Sequence, residues 1–588
     1  MSNLCRRWFG RFARVARFLR ARNNSHCSDP PPLSRGTPEV LLLFGIMLLG
    51  LAHLAVLPPW EGFDETAHYA YMQQLADDRQ LPRYGTAHMA VDVELYGRVG
   101  PLPYSGVPPF EQREHGEFGV APGGGISYRQ FFASSTWRDT GSDAIHGSPV
   151  ESRAYRPAEA MNWQAQHPPL YYALVAPVYA ATKNMSWADH LLALRFVSYL
   201  FAVCAIVIGA RTLTNQRAMP ARWLPLGVLL WPFLFPMWFP EMARLGNDSL
   251  VALGVAVSWA LLVRYTEKPD RTSALLIGLV LGLGCLTKAI FVPIAAGVVL
   301  FLGLRAVFGM GGVAQHRKRP WIDLVLILTT TAGLSGWWYV QGYLTHGSIL
   351  GSDELIRLAN QGGLAGGLSD KFSLLAWLRG MSAVAASFTW AGTWSLARPP
   401  HLLLAPLVLL AATLFTAYLF EARRHSMLSI IWAPLYLTGP VVLGLAYHVL
   451  MRIAFSGMGV GTSGWYLHAL VAPLGLAVGI GLSVVAGNRW LRVLTAALVT
   501  YVLVFTAAVV YMQLLLFTGC AFKAGAIKTY QIPADARCLT DIAGGIERLS
   551  AIANPAVGMT AGATGLAVVV LSLLWVVRRA GSAADNRF

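Results

Sequence analysis

Long stretches in which nearly every position is apolar recur along the chain, separated by segments where charge, Pro and Gly collect. A helix rises about 1.5 Å per residue and the hydrocarbon core of a bilayer is about 30 Å thick, so apolar runs approaching 20 residues read as membrane-spanning helices. Spans are predicted at 38–57 and near 191–213, 223–240, 249–263, 272–287, 289–304, 321–341, 402–420, 428–449, 465–486, 493–516 and 561–577. The count is about twelve, because the run 272–304 is divided only at Lys288, and 166–182 and 373–397 also have membrane-associated character. The predicted class is an all-α polytopic membrane protein.

Charge placement orients these spans. Eight arginines and a single acid, Asp29, lie in the first 37 residues. The leader and the apolar run after it are both too long for a cleaved secretory signal, so a membrane anchor with a cytoplasmic N-terminus is expected. With that start, Arg211, Arg264, Arg305, Arg423, Arg489 and Arg578 all fall at cytoplasmic ends of spans, in keeping with the positive-inside rule. The layout that follows is a cytoplasmic N-terminus 1–37, a first span 38–57, an extracytoplasmic loop 58–190 with juxtamembrane helices, and spans two to seven within 191–341. A second outer loop 342–401 follows, then spans eight to eleven within 402–516, a third outer loop 517–560, the last span 561–577 and a cytoplasmic tail 578–588. A bacterial inner membrane is the expected location.

Composition agrees with this and removes one alternative. Of 588 residues 55% are hydrophobic and only 13% charged, which describes one membrane body rather than a string of soluble domains. The net charge of +16 would suggest nucleic acid in a soluble protein, but here the basic residues sit in cytoplasmic segments, and no nucleic-acid partner is expected. Of the six cysteines, Cys5 and Cys27 fall inside, Cys204 and Cys285 within spans, and Cys520 and Cys538 in the last outer loop. Only that last pair is placed for a disulfide, worth about 3 kcal/mol for so short a loop. No Cys/His spacing resembles a zinc site.

Chemistry concentrates just after the first span, in Pro58-Pro59-Trp60-Glu61-Gly62-Phe63-Asp64-Glu65-Thr66-Ala67-His68-Tyr69. A helix beginning near Asp64 as N-cap puts His68 four residues from Asp64 and three from Glu65, on one face. A carboxylate oriented or charge-balanced by imidazole can serve as a general base; a plain capping role for Asp64 and a solvated Glu65 are the structural alternative. His167, ahead of Pro168-Pro169 and Tyr171, either lines the same site or is a turn residue. Glu241, Arg244, Asn247 and Asp248 cluster between two spans, and the planar fork of Arg244 suits a phosphate. Lys288 interrupts an apolar run, so it either snorkels to the interface or meets an anionic ligand. Trp163, Trp337, Trp338 and Trp390 can stack on sugar rings or serve as interfacial belts.

Together these residues resemble the GT-C superfamily of polytopic glycosyltransferases, which includes protein O-mannosyltransferases and bacterial aminoarabinose transferases. The resemblance rests on Phe63 to Tyr69, His167 to Tyr172, Leu194-Arg195-Phe196, Asn247-Asp248 and Leu286-Thr287-Lys288, and only loosely on Gly464-Trp465-Tyr466-Leu467. Many relatives carry an Arg before the Tyr of that last motif; it is absent here, and its role is missing or moves to Arg452. The resemblance implies transfer of a sugar from a polyprenyl-phosphate carrier to an acceptor hydroxyl, with inversion, on the extracytoplasmic face. The acceptor is a glycolipid, a polysaccharide or a protein. Carried over, Asp64 is the base, Glu65 and His68 position the acceptor or tune the base, and Lys288, Arg244, Asn247, Asp248, His167 and Tyr171 bind substrate. No cofactor is expected, a divalent metal being the open alternative. A secondary transporter and a catalytically inactive envelope-assembly protein are the competing classes, although the acids gather at one face instead of the membrane midplane.

Overall fold

The computed structural model describes residues 37–103, 126–134, 153–214, 223–308, 319–349, 363–522 and 536–585, with a few positions in 137–149 and at 358. The arginine-rich leader with Cys5 and Cys27 lies outside the described residues. Long helices dominate. They are α1 (Thr37–Val56), α2 (Glu65–Asp78), α3 (Leu170–Thr182), α4 (Trp187–Thr214), α5 (Asp248–Glu267), α6 (Arg271–Cys285), α7 (Phe291–Val307) and α8 (Arg319–His346). The chain continues through α9 (Leu374–Thr389), α10 (His401–Ala422), α11 (Ala433–Ser456), α12 (Val471–Ala486), α13 (Arg489–Phe517) and α14 (Pro555–Asp585). Eight helical segments among the described residues are long and apolar enough to cross a membrane, and α3, α6, α7 and α9 are shorter apolar helices. Apolar side chains that stay exposed along them, such as Leu402, Leu443 and Val504, are what a lipid-facing surface requires.

The predicted span 223–240 takes a different form. It is broken into three short helices, Leu224–Leu229, Trp231–Leu234 and Trp238–Met242. Pro225, Pro232, Pro236 and Pro240 remove four backbone donors in this stretch, so no single hydrogen-bonded helix can run through it. Its backbone groups are instead buried against α12 and α4, where Gly227 meets the carbonyl of Gly475 so closely that a Cβ would stand 2.0 Å from it. The fold also carries a small strand pair, β1 (His88–Ala90) antiparallel to β2 (Pro157–Met161), within the first long inter-helix segment.

Helices α1 and α14 pack along each other, α4 on α1 and α5, and α6 on α5 and α8, while α7 packs on α11 and α10 on α12. The three long segments between spans converge at one end of this bundle. Glu61 of the first reaches Ser395 of the second, Arg138 of the first pairs with Glu547 of the third at 3.1 Å, and Arg129 lies 3.7 Å over the Phe522 ring. Cys520 and Cys538 in the third segment form a disulfide, with Cα atoms 5.7 Å apart. Helix α1 ends at this end of the bundle, and α4, α5, α7, α12 and α14 begin there, so side chains distant in sequence are brought to one place.

Candidate active site

The loop between α1 and α2 is the centre of that end. Just past the end of α1, Arg195 of α4 donates to the carbonyls of Leu57 and Pro58, at 2.6 and 2.8 Å. The same guanidinium grips Glu65 through Nε at 2.8 Å and Nη2 at 2.6 Å. Glu65 also accepts from the backbone N–H groups of Gly62 at 3.1 Å and Leu245 at 3.0 Å. Both side chains are buried, and every strong partner each needs is present. The Glu65 oxygens are consumed in fastening the loop to α4 and to the 241–248 segment, so a direct contact with an acceptor, one of the two roles expected of it, would have to displace one of these bonds. Arg195, the anchor of this arrangement, was not singled out from sequence as a site residue. The available signal was a lone arginine inside an apolar span, which demands a buried partner.

Held in this way, Asp64 adopts a left-handed backbone conformation, φ 60° and ψ 11°, just before α2. It occupies the expected N-cap position but its side chain makes no capping hydrogen bond, so the plain capping role that was the structural alternative is not the one observed. The carboxylate turns instead toward Trp163, whose indole N–H donates to Oδ1 at 3.3 Å, and it remains half-buried. Aspartate tolerates this backbone region better than most residues, at a cost the surrounding contacts must cover. Desolvation pushes its carboxyl pKa up, while the charges of Arg244 and Lys288 pull it down and that of Asp248 adds to the rise.

His68 does share the α2 face but pairs elsewhere. Its Nδ1 lies 2.9 Å from the Tyr172 hydroxyl, and its ring faces His167 at 6.3 Å. Burial, then the charge of Arg244, holds its imidazole well below the ordinary histidine range, and burial with Lys288 pushes His167 down to about 3. His68 is thus paired with Tyr172 and not with Asp64, and the charges that oppose the rise in the Asp64 pKa are those of Arg244 and Lys288. The His167-Pro168-Pro169 turn is tied to the Lys288 loop by the Leu170 N–H on the Leu286 carbonyl at 3.0 Å. Tyr171 points away to Ser198 Oγ at 2.6 Å and is buried on α4, a packing role in place of the expected substrate contact.

The cationic side of the site is a buried network. Arg244 donates to both Glu241 oxygens at 3.2 and 2.8 Å, to the Phe63 carbonyl at 2.7 Å and to Asp248 Oδ2 at 2.8 Å. Arg244 thus ties the residue before Asp64 to α5 and leaves little of its fork for a phosphate, contrary to expectation. Lys288 sits 2.8 Å from both Asp248 oxygens and 4.6 Å from the centre of the Tyr466 ring. An ammonium has three N–H groups, so one is left beyond Asp248. Asn247 is fully buried with neither side-chain atom partnered.

The Gly464-Trp465-Tyr466-Leu467 motif closes the ring. It lies in a short 3-10 turn, Gly464–Leu470, that lays Trp465 flat on Phe63 at 4.6 Å and brings Tyr466 to Lys288. Of the four other tryptophans considered, only Trp163 reaches the site. Trp390 donates to the Ala397 carbonyl, and Trp337 and Trp338 pack edge to face on α8. Among the described residues no group of three or more His, Cys, Asp or Glu side chains is placed to hold a metal ion.

No family model matches the chain, and no curated protein matches it. Solved structures do show likeness. ArnT from Cupriavidus metallidurans bound to undecaprenyl phosphate is 14% identical, over 84% of this chain and 76% of that one, with a TM-score of 0.36. The Archaeoglobus fulgidus oligosaccharyltransferase in complex with Zn and sulfate is 13% identical over 83% and 54%, with a TM-score of 0.38. The arabinosyltransferase EmbB from Mycobacterium smegmatis is 12% identical over 95% and 43%, with a TM-score of 0.36.

Proposed function

We propose that this chain is an integral membrane glycosyltransferase that moves a sugar from a polyprenyl-phosphate donor to an acceptor hydroxyl, with its site on the extracytoplasmic face of a bacterial inner membrane. The observation that carries the reading is Asp64: a half-buried carboxylate freed from capping, held in a left-handed conformation by a buried Arg195–Glu65 clamp, with cations beside it. A strained and over-determined carboxylate at the mouth of a helical bundle is what a positioned base looks like.

In the proposed reaction the acceptor O–H gives its proton to Asp64. The oxygen then bonds to the anomeric carbon from the face opposite the phosphate, with inversion. The bond between that carbon and the phosphate oxygen breaks, and its electron pair leaves with the polyprenyl phosphate. Charge growing on that phosphate needs a cation already in place, and the remaining N–H of Lys288 is suited to it. Asp248 and Arg244 fix where Lys288 stands, and Trp163 fixes where the base stands. The acceptor is a glycolipid, a polysaccharide or a protein hydroxyl.

The test is a transfer assay in nanodiscs with radiolabelled polyprenyl-phosphate sugars and a membrane extract as acceptor pool, comparing wild type with Asp64→Asn. Transfer by wild type alone is the expected result; equal transfer by the variant would remove Asp64 as base.

A further inference from the structure

The residue three positions before Asp64 has no place in the reaction above, yet it is as deeply buried as any charged group in the protein. Glu61 has no exposed surface. Its Oε1 accepts from the hydroxyls of Tyr128 at 2.9 Å and Ser395 at 2.5 Å, and its Oε2 accepts from the Ser395 N–H at 3.1 Å. Its own carbonyl accepts from the Trp394 N–H at 2.9 Å. All these donors are neutral, so nothing in this set repays the desolvation of a carboxylate as a cation would. Such a group is a costly fastener where a neutral side chain would hold a loop at lower cost.

Glu61 fastens two distant segments to the Asp64 loop. Tyr128 belongs to the first long inter-helix segment and Trp394 and Ser395 to the second, so one carboxylate draws both onto the six residues that lead into Asp64. The Trp394 ring then meets Phe63 edge-on at 5.2 Å, and the Phe63 carbonyl is the one Arg244 holds. Glu61 and Glu65 thus clamp the chain on either side of Asp64, the first from the loops above and the second from α4. Between and beside them Trp60 and Asp64 both have positive φ, 67° and 60°. Two left-handed residues in one short loop persist only where neighbours over-determine them.

We propose that Glu61 is a positioning residue for transfer: by locking the 390–398 segment and Tyr128 onto the Asp64 loop, it sets the location of the base relative to the donor. This rests on the glycosyltransferase reading. It makes the second inter-helix segment part of the catalytic architecture.

The experiment measures steady-state transfer by wild type, Glu61→Gln, Ser395→Ala and Tyr128→Phe in nanodiscs, with hydrogen exchange across 390–398 in each. Glutamine keeps the volume but sets an NH2 among donors that need an acceptor. The expected result is a fall in kcat of about 100-fold for Glu61→Gln, as for a base misplaced by about 1 Å, with donor KM changed less than about threefold. Smaller losses of kcat are expected for the other two variants, together with faster exchange of 390–398. A rise in KM alone, or unchanged kcat in an inserted Glu61→Gln protein, would overturn the proposal. If Glu61→Gln fails to insert, wild-type kcat in both Ser395→Ala and Tyr128→Phe would do so. Absence of transfer by wild type would overturn the function itself and this inference with it, an outcome distinct from a working enzyme indifferent to Glu61.

Discussion

Asp248 holds Lys288 with both of its oxygens at 2.8 Å while its Oδ2 also receives Arg244 at 2.8 Å, so one buried carboxylate keeps two buried cations apart and in place. Removing it leaves the buried Lys288 ammonium without its carboxylate and Arg244 with Glu241 alone. Asp248→Ala is therefore expected to lose about 3–5 kcal/mol of stability, the usual consequence of stranding buried charge. Thermal unfolding in nanodiscs reads this directly, and a midpoint equal to wild type would show that the network is not the tie described. Lys288→Ala should lose less, because Arg244 still answers Asp248, while weakening binding of polyprenyl phosphate by at least about tenfold. Unchanged affinity would remove Lys288 from the phosphate site.

The Arg195–Glu65 pair is separated by 130 residues in sequence and joined by two short charge-assisted bonds. Single changes to either should destabilise strongly, and the pair should not add. A double-mutant cycle with Arg195→Met and Glu65→Gln is expected to give a coupling of about 1–3 kcal/mol. Additive losses would mean that the two act separately.

Much of the fold was legible because membrane residence writes itself into composition: α1, α4, α10 and α13 coincide with runs that water would not tolerate. The broken 223–242 segment was misread because apolar content outweighed its four prolines, whose effect shows only when the lost backbone bonds are counted. At the site, Asp64 could be picked out by its position after the first span. Its neighbours could not. Glu65 and His68 were assigned to Asp64 by helical spacing, whereas their partners, Arg195 and Tyr172, come from more than a hundred residues away. Spacing reports which side chains share a face and is silent on which distant helix meets that face.

Asp64 makes a prediction in which stability and activity part ways. Burial raises its carboxyl pKa in the folded protein above the unfolded value, so the ionised form costs folding free energy at pH values above the folded pKa. Asp64→Asn removes that charge and is expected to unfold at the same temperature as wild type or higher at pH 7, while transfer is lost. In the wild type, transfer should fall as pH drops through this raised pKa, because the base is then protonated, giving an acid limb above the ordinary carboxylate range. A pH–rate profile that stays flat down to pH 4 would exclude a buried carboxylate as the base.

Gly464 offers a steric test of the far side of the site. A Cβ built there would stand 1.9 Å from the Val384 carbonyl oxygen and 2.8 Å from its carbon, with backbone on both sides and no flexible side chain to yield. The glycine is what lets the Gly464–Leu470 turn press on α9, where its N–H takes the Ser387 hydroxyl at 2.8 Å. That approach in turn sets Trp465 flat on Phe63 and Tyr466 over Lys288. Gly464→Ala must push the turn outward. A loss of about 1–3 kcal/mol is expected, as for overpacking in a filled interior. Because the displaced residues touch both Phe63, next to the proposed base Asp64, and Lys288, transfer should fall further than stability alone explains, with donor KM and kcat both affected. Ser387→Ala keeps the steric fit and loses the hydroxyl's bonds to the Gly464 N–H and to the Ala383 and Val384 carbonyls, so it should cost about 1–2 kcal/mol and retain activity. If Gly464→Ala were as active as Ser387→Ala, the close packing of this turn would have no part in shaping the site.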